Sequence, residues 1–155
     1  MKLRDFIVTD SIIADLTATD RDGAIRELVT SLSTAGAVPG DAVDEIVAAL
    51  IKREQNGSTG FGKGVAVPHT KHAKIQKMAA TVGRSPNGID FSALDHQPVY
   101  SIVLLLSPEN QPQQHLQAMN TVFTNLQKDL FRRFLRQSAT RQTITELLDE
   151  ADAGK

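Results

Sequence analysis

The chain has 155 residues, 41 % hydrophobic and 23 % charged, with a net charge of −1. That size and mix fit one domain, 1–155, with a substantial core and exclude a disordered chain; the near-zero charge gives no electrostatic case for nucleic acid or an anionic membrane as the main partner. The absence of cysteine excludes disulfides, thiolate metal sites and cysteine nucleophiles, and a single tyrosine with no tryptophan provides no stacking platform for single strands.

The opening MKLRDFIVTD is interrupted by Asp5 and Asp10 and holds no apolar signal core, so a cytoplasmic protein is expected. Residues 11–16, SIIADL, form a short apolar segment expected as a strand. Thr19 is positioned to cap a helix, with Asp22 three residues on. Ile25, Leu28, Val29 and Leu32 then recur at helical spacing, and Gly36 ends the run. Val43, Ile46, Val47 and Leu50 give a second helix reaching about Glu54. A glycine-rich loop follows, then a short strand at residues 65–67 that stops at Pro68-His69.

Residues 78–83 and 99–106 are the next strands expected. The second, VYSIVLLL, is almost wholly apolar and belongs in the centre of a sheet covered on both faces. Its longest apolar run is too short to span a bilayer, so no direct membrane insertion is expected. Asn87-Gly88 and residues 95–98 read as turns. Leu116, Met119, Phe123 and Leu126 mark a third helix, with further helices at residues 130–137 and 143–150. The order predicts an α+β fold: an α/β/α three-layer sandwich with a mixed sheet flanked by helices on both faces.

The glycine-rich stretch is GSTGFGKG, residues 57–64. It resembles a P-loop in spacing but not in context. A P-loop follows a strand and opens a helix, with a hydroxyl after its lysine for magnesium. Here the loop follows a helix, leads into a strand, and has Gly64 where the hydroxyl belongs. The dinucleotide pattern also fails, with Val65 in place of its third glycine. The composition still suits phosphate. Glycines let backbone N–H groups approach an anion, Ser58 and Thr59 add hydroxyls, and Arg53 offers a planar fork. The stretch ends on His69, whose neutral imidazole is a nucleophile near neutral pH. On the residues alone, a phosphoryl group carried on a histidine and a glycine-rich turn beside a surface histidine both fit.

The run RExxGSTGxGxGVAVPH, from Arg53 to His69, closely resembles the signature of enzyme IIA of the fructose/mannitol type, part of the bacterial phosphoenolpyruvate-dependent sugar phosphotransferase system (PTS). The nitrogen-regulatory IIA proteins share that family. The resemblance covers the early helix pair, the signature, the apolar strand near residue 100 and a later His-Leu step, His115-Leu116. It implies that His69 takes the phosphoryl group, at the Nε2 position, and that Arg53 and His115 lie at the site. Gly57, Ser58, Thr59, Gly60, Gly62 and Gly64 are expected, on the composition of the loop, to provide phosphate-binding groups. The resemblance also implies a mixed sheet between helical layers. Thr70 departs from the family, which usually has glycine there, and a β-branched residue restricts φ. His72 matches nothing in the pattern.

The implied function is a phosphoryl carrier supplied by the histidine-containing phosphocarrier protein, with no cofactor and no metal. The lack of cysteine and the chain length leave no fused cysteine-type IIB domain and no transporter, so a IIB acceptor is expected in trans. The alternative is a regulatory binding protein switched by phosphorylation of His69, which suits the nitrogen-regulatory branch. A third reading is a metal-dependent enzyme using His69, His72 and His115. No acidic residue lies within five of His69 to support such a ligand set. His96, in LDHQP, is expected to be structural or exposed, and His115, taken alone, a packed histidine.

Overall fold

The computed structural model describes residues 1–154. In chain order it contains α1 (Arg21–Thr34), α2 (Val43–Gln55), β1 (Gly60–Gly62), β2 (Val65–Ala66), β3 (His69–His72), β4 (Ala79–Ile89), β5 (Val99–Pro108), α3 (Pro112–Leu126), α4 (Asp129–Gln137) and α5 (Arg141–Asp152), with three short 3-10 turns. The five strands form one mixed sheet. β5 is central. It pairs antiparallel with β4 on one side and parallel with both β2 and β3 on the other. β1 adds outside β2, antiparallel to it.

The apolar run at the heart of β5 explains the layering. Ile102, Leu104 and Leu106 enter one core with α1 and α2 residues such as Leu28, Leu32, Ile46 and Leu50. Val103 and Leu105 point the other way, into a core with Ala118, Val122, Phe131, Leu135, Ile144 and Leu148 of α3, α4 and α5. Successive side chains of a strand face opposite sides, so a strand apolar at every position needs helices on both. The expected α/β/α architecture is therefore present. At Gly83 of β4 a Cβ would stand 2.8 Å from Leu28 Cδ2, so the lack of a side chain lets α1 lie close on the sheet.

Several elements differ from expectation. Residues 11–16 are not a strand. Thr9–Ser11 is a 3-10 turn, and the chain meets the outer edge of β4 through isolated parallel bridges, Ile7 to Ala80 and Ile13 to Gly83, with backbone hydrogen bonds such as Ile13 N to Val82 O and Leu16 N to Arg84 O. The Ser11 hydroxyl bonds Val8 O and Thr81 Oγ1, the local competition that favours a turn over a ladder. The α1 cap is Asp20, whose Oδ1 accepts from Gly23 N at 2.7 Å, not Thr19. Asn87-Gly88 does not end β4. The strand passes through it with a register shift between Arg84 and Ile89, and Gly88 takes φ +82. The α3 stripe is also rotated from the expected one. Ala118, Val122 and Leu126 face the core, Met119 and Phe123 pack at its margin, and Leu116 is 61 % exposed.

The two ends of the described chain meet. Asp152 of α5 accepts from Leu3 N at 2.7 Å and Arg4 N at 2.9 Å, and Arg4 pairs with Asp149.

Candidate functional site

β2 and β3 lie along the same edge of β5 in one unbroken register. Val65 stands opposite Ser101 and His69 opposite Leu105. Pro68 interrupts the strand without shifting it. It has no N–H to give, but its carbonyl accepts from Leu105 N at 2.9 Å. The chain therefore continues past His69 as β3, where the sequence predicted a stop. Thr70 sits in extended backbone opposite Leu106, a conformation that suits a β-branched residue.

The alternation of the strand aims His69. Val67 is buried in the core under α3, and His69, two residues on, shares that face. His115 descends from the first turn of α3, on the same helical face as Ala118 and Val122. The two rings meet with centroids 5.6 Å apart at 45°.

Each ring is held by one nitrogen. His69 Nδ1 lies 2.7 Å from Val67 O. A carbonyl only accepts, so Nδ1 carries the proton and Nε2 of the neutral ring holds the lone pair. His115 Nδ1 lies 2.6 Å from the Ser107 hydroxyl. Both pKa values fall below the ordinary 6.5 of imidazole. For His69 burial is the largest cause and the Arg53 guanidinium adds to it, while the Val67 carbonyl and the Glu54 carboxylate act in the opposite sense. His115 is lowered to about 4, first by burial, then by the charged forms of His69 and Lys71. At neutral pH both rings are uncharged.

Arg53, in the last turn of α2, is near enough to act on His69 electrostatically, and its NH1 donates to Gly57 O at 2.7 Å. His69 and His115 thus face each other, with Arg53 within electrostatic reach of His69. The glycine-rich loop folds back beside β2, with Thr59 O accepting from Val67 N at 3.1 Å, and several of its donors are engaged within the fold. Thr59 N donates to Glu54 Oε2 at 3.0 Å and its hydroxyl to Glu54 Oε1. Ser58 Oγ donates to Phe91 O at 2.6 Å and accepts from Gly60 N at 2.9 Å, and Gly57 N donates to Glu54 O. Gly60 and Gly62 lie in β1. Gly64, by strand rise, stands about 16 Å back from His69. The hairpin is anchored by Phe61, whose ring packs 5.0 Å from Phe123 of α3.

His72 does not join the pair. Three residues from His69 in a strand, it faces the other side of the sheet. Its Nδ1 accepts from Lys74 N at 3.1 Å, and its Nε2 is 3.7 Å from Glu45 of α2. The metal-ligand set His69, His72 and His115 is therefore not assembled. His96 is exposed in its turn, with φ +60.

Two groups at the site escaped the sequence reading. Ser107 is fully buried and touches His115. Its signal was a hydroxyl directly after the apolar run at residues 102–106. Glu54 is 3 % exposed and ties the loop to α2. A carboxylate beside the signature arginine was visible, but its burial was not.

Two neutral imidazoles and an arginine at the end of a parallel strand pair make a histidine-centred site of the kind suited to group transfer. Comparison with known proteins gives the family. The model of the family described as "Phosphoenolpyruvate-dependent sugar phosphotransferase system, EIIA 2" matches residues 5–151, and the chain belongs to it. Enzyme IIA domains are phosphotransferase components of that system. The chain is 29 % identical over 153 residues to the PTS fructose-specific EIIABC component of Bacillus subtilis, covering 98 % of this chain but only 24 % of that protein. It is 32 % identical over 148 residues to a nitrogen regulatory protein of Bradyrhizobium diazoefficiens, covering 96 % of this chain and 95 % of that one.

Among solved structures it is similar to the nitrogen regulatory protein IIA-Ntr from Neisseria meningitidis, with TM-score 0.83 and 25 % identity over 93 % of this chain and 97 % of that one. Its fold is also that of enzyme IIAMTL, solved in complex with phosphorylated enzyme IIBMTL from Escherichia coli, with TM-score 0.75 and 21 % identity over 94 % of this chain and 96 % of that one. Among the described residues no helix is long and apolar enough to cross a membrane.

Proposed function

We propose that His69 is the phosphoryl-carrying residue of this enzyme IIA domain. The observation that carries the reading is the bond from His69 Nδ1 to Val67 O, which leaves Nε2 as a lone pair on a ring kept neutral by burial. The histidine-containing phosphocarrier protein is the donor. The Nε2 lone pair attacks phosphorus, the donor's N–P bond breaks, and its electron pair returns to the donor ring. The Val67 carbonyl stabilises positive charge growing on the His69 ring, while Arg53 and His115 hold the phosphoryl oxygens. The work is positioning and charge stabilisation.

The phosphoryl group then passes to the nucleophile of a IIB partner, a pairing supported by the enzyme IIAMTL–IIBMTL complex. Such an exchange belongs in the cytoplasm. A regulatory use of the same phosphorylation is favoured by the likeness to nitrogen regulatory proteins, 32 % in sequence and 0.83 in TM-score. Two charges added at a half-buried histidine can make or break a protein contact.

The test is reconstitution with phosphoenolpyruvate, the PTS kinase and the phosphocarrier protein, followed by mapping of phosphohistidine. Acid-labile phosphate should appear on His69, and His69→Ala should abolish it. Normal labelling of that variant would refute the assignment.

A further inference from the structure

The contact between Ser107 Oγ and His115 Nδ1 can be drawn with either atom as donor, and the surroundings of the hydroxyl decide between them. Ser107 is 0 % exposed, and among the described residues its Oγ has no other hydrogen-bond partner. If Nδ1–H donated to Oγ, the hydroxyl proton would be buried without an acceptor, at the full cost of its desolvation. With Oγ–H donating to Nδ1 the proton is satisfied, and His115 carries its own proton on Nε2. His69 is held the opposite way. Its Nδ1 faces a carbonyl that can only accept, so its Nε2 is bare.

We propose that Ser107 fixes His115 as the Nε2–H tautomer, so that the two facing imidazoles are locked in opposite tautomers, His69 as nucleophile and His115 as hydrogen-bond donor to the phosphoryl group. The proposal rests on His69 being the carrier. In the transfer step the His69 Nε2–P bond forms as the donor's N–P bond breaks. His115 keeps its proton throughout and donates it to a phosphoryl oxygen. In the other tautomer His115 would turn a lone pair toward those oxygens, and would itself be a second nucleophile. Ser107, a positioning residue, thereby decides which ring takes the phosphate. Because burial, His69 and Lys71 hold His115 neutral down to about 4, its tautomer rather than its charge is the variable at neutral pH.

The experiment labels histidine with 15N in the unphosphorylated protein, above the ordinary imidazole pKa of 6.5, and reads each ring's tautomer from its long-range couplings. His69 should show Nδ1–H and His115 Nε2–H. Nδ1–H at His115 overturns the proposal, and that spectrum needs no variant to fold. Ser107→Ala should then release His115 from a single tautomer and slow single-turnover transfer about 10-fold, with Ser107→Thr restoring both. Phosphate mapping on the same samples separates the two ways of failing. Phosphate on His69 with Ser107→Ala as fast as wild type overturns the role of Ser107 and leaves the carrier reading standing. No phosphate on His69 in the wild type removes the carrier reading, and the proposal with it, even if the tautomers are as assigned.

Discussion

The ribbon formed by β2, Pro68 and β3 runs along β5, and the glycine-rich hairpin that folds back beside β2 is built on opposite terms from the histidine pair. In the hairpin many polar groups are already engaged, Thr59 O accepting from Val67 N at 3.1 Å among them. Thr59 bonds Glu54, Ser58 bonds Phe91, and Lys63 N donates to Asp95 at 3.0 Å. Gly64, at φ +77, presses its backbone against Tyr100. At the histidine end each ring uses one nitrogen to be held and leaves the other unbonded. The glycines that draw the eye in the sequence shape the hairpin. At the histidine pair the fold leaves one ring nitrogen of each residue unconsumed.

That contrast can be broken most directly at the histidine end. His115→Ala should still be phosphorylated on His69, but about 10- to 100-fold more slowly, since a hydrogen bond to a charged group contributes roughly 1.5–3 kcal/mol. Single-turnover transfer measures this, with an unchanged circular dichroism spectrum expected. An unchanged rate would make His115 a packing residue and erase the difference between the ends.

Glu54 lies between the two regions. Replacing it with Gln weakens bonds to a buried amide and hydroxyl, and should cost about 1–3 kcal/mol in urea unfolding. Some loss of transfer should accompany it, because the Glu54 carboxylate also acts on His69. At the far end Gly64→Ala forces a side chain into left-handed backbone, with its Cβ 3.2 Å from the Tyr100 ring. It should cost about 1–2 kcal/mol while leaving the transfer rate per folded molecule as it was. A slowed rate in that variant would sharpen the comparison the other way, by showing that the hairpin reaches the chemistry.

A further effect is on pH. Both imidazoles have folded pKa values below 6.5, so the unfolded chain binds more protons as pH falls. Their contribution to stability is fully present above about 6.5 and is lost on acidification toward about 4, the value for His115. Urea midpoints of wild type and His115→Gln should therefore converge as pH drops through that window. Curves that stay parallel would show that burial does not hold His115 neutral.

Much of this was legible in the sequence. The layering followed from β5, whose run at residues 102–106 is apolar at every position and demands two covered faces. The helices were visible as stripes, and His69, Arg53 and His115 from the order of the signature and the His-Leu step. What escaped depended on partners distant in sequence. Residues 11–16 have the composition of a strand, but the Ser11 hydroxyl meets Thr81, seventy residues away, and the chain turns. The phase of α3 is set by packing on the sheet, so Leu116, apolar and in register with the expected stripe, faces outward. The loop donors looked available because nothing in the sequence shows that Glu54 is buried beneath them. Ser107 reads as the polar end of a strand until α3 brings His115 onto it.

The clasp of Leu3 and Arg4 on Asp152 bears on how the polypeptide could be rewired. Because it brings the two ends of the described fold together, a short linker joining them would span little distance and disturb no core layer. New ends could then be opened in the exposed turn at residues 94–97, away from both histidines. A circular permutant of that design would keep β5 central and the ribbon in register, while changing which helices are made before the sheet can close.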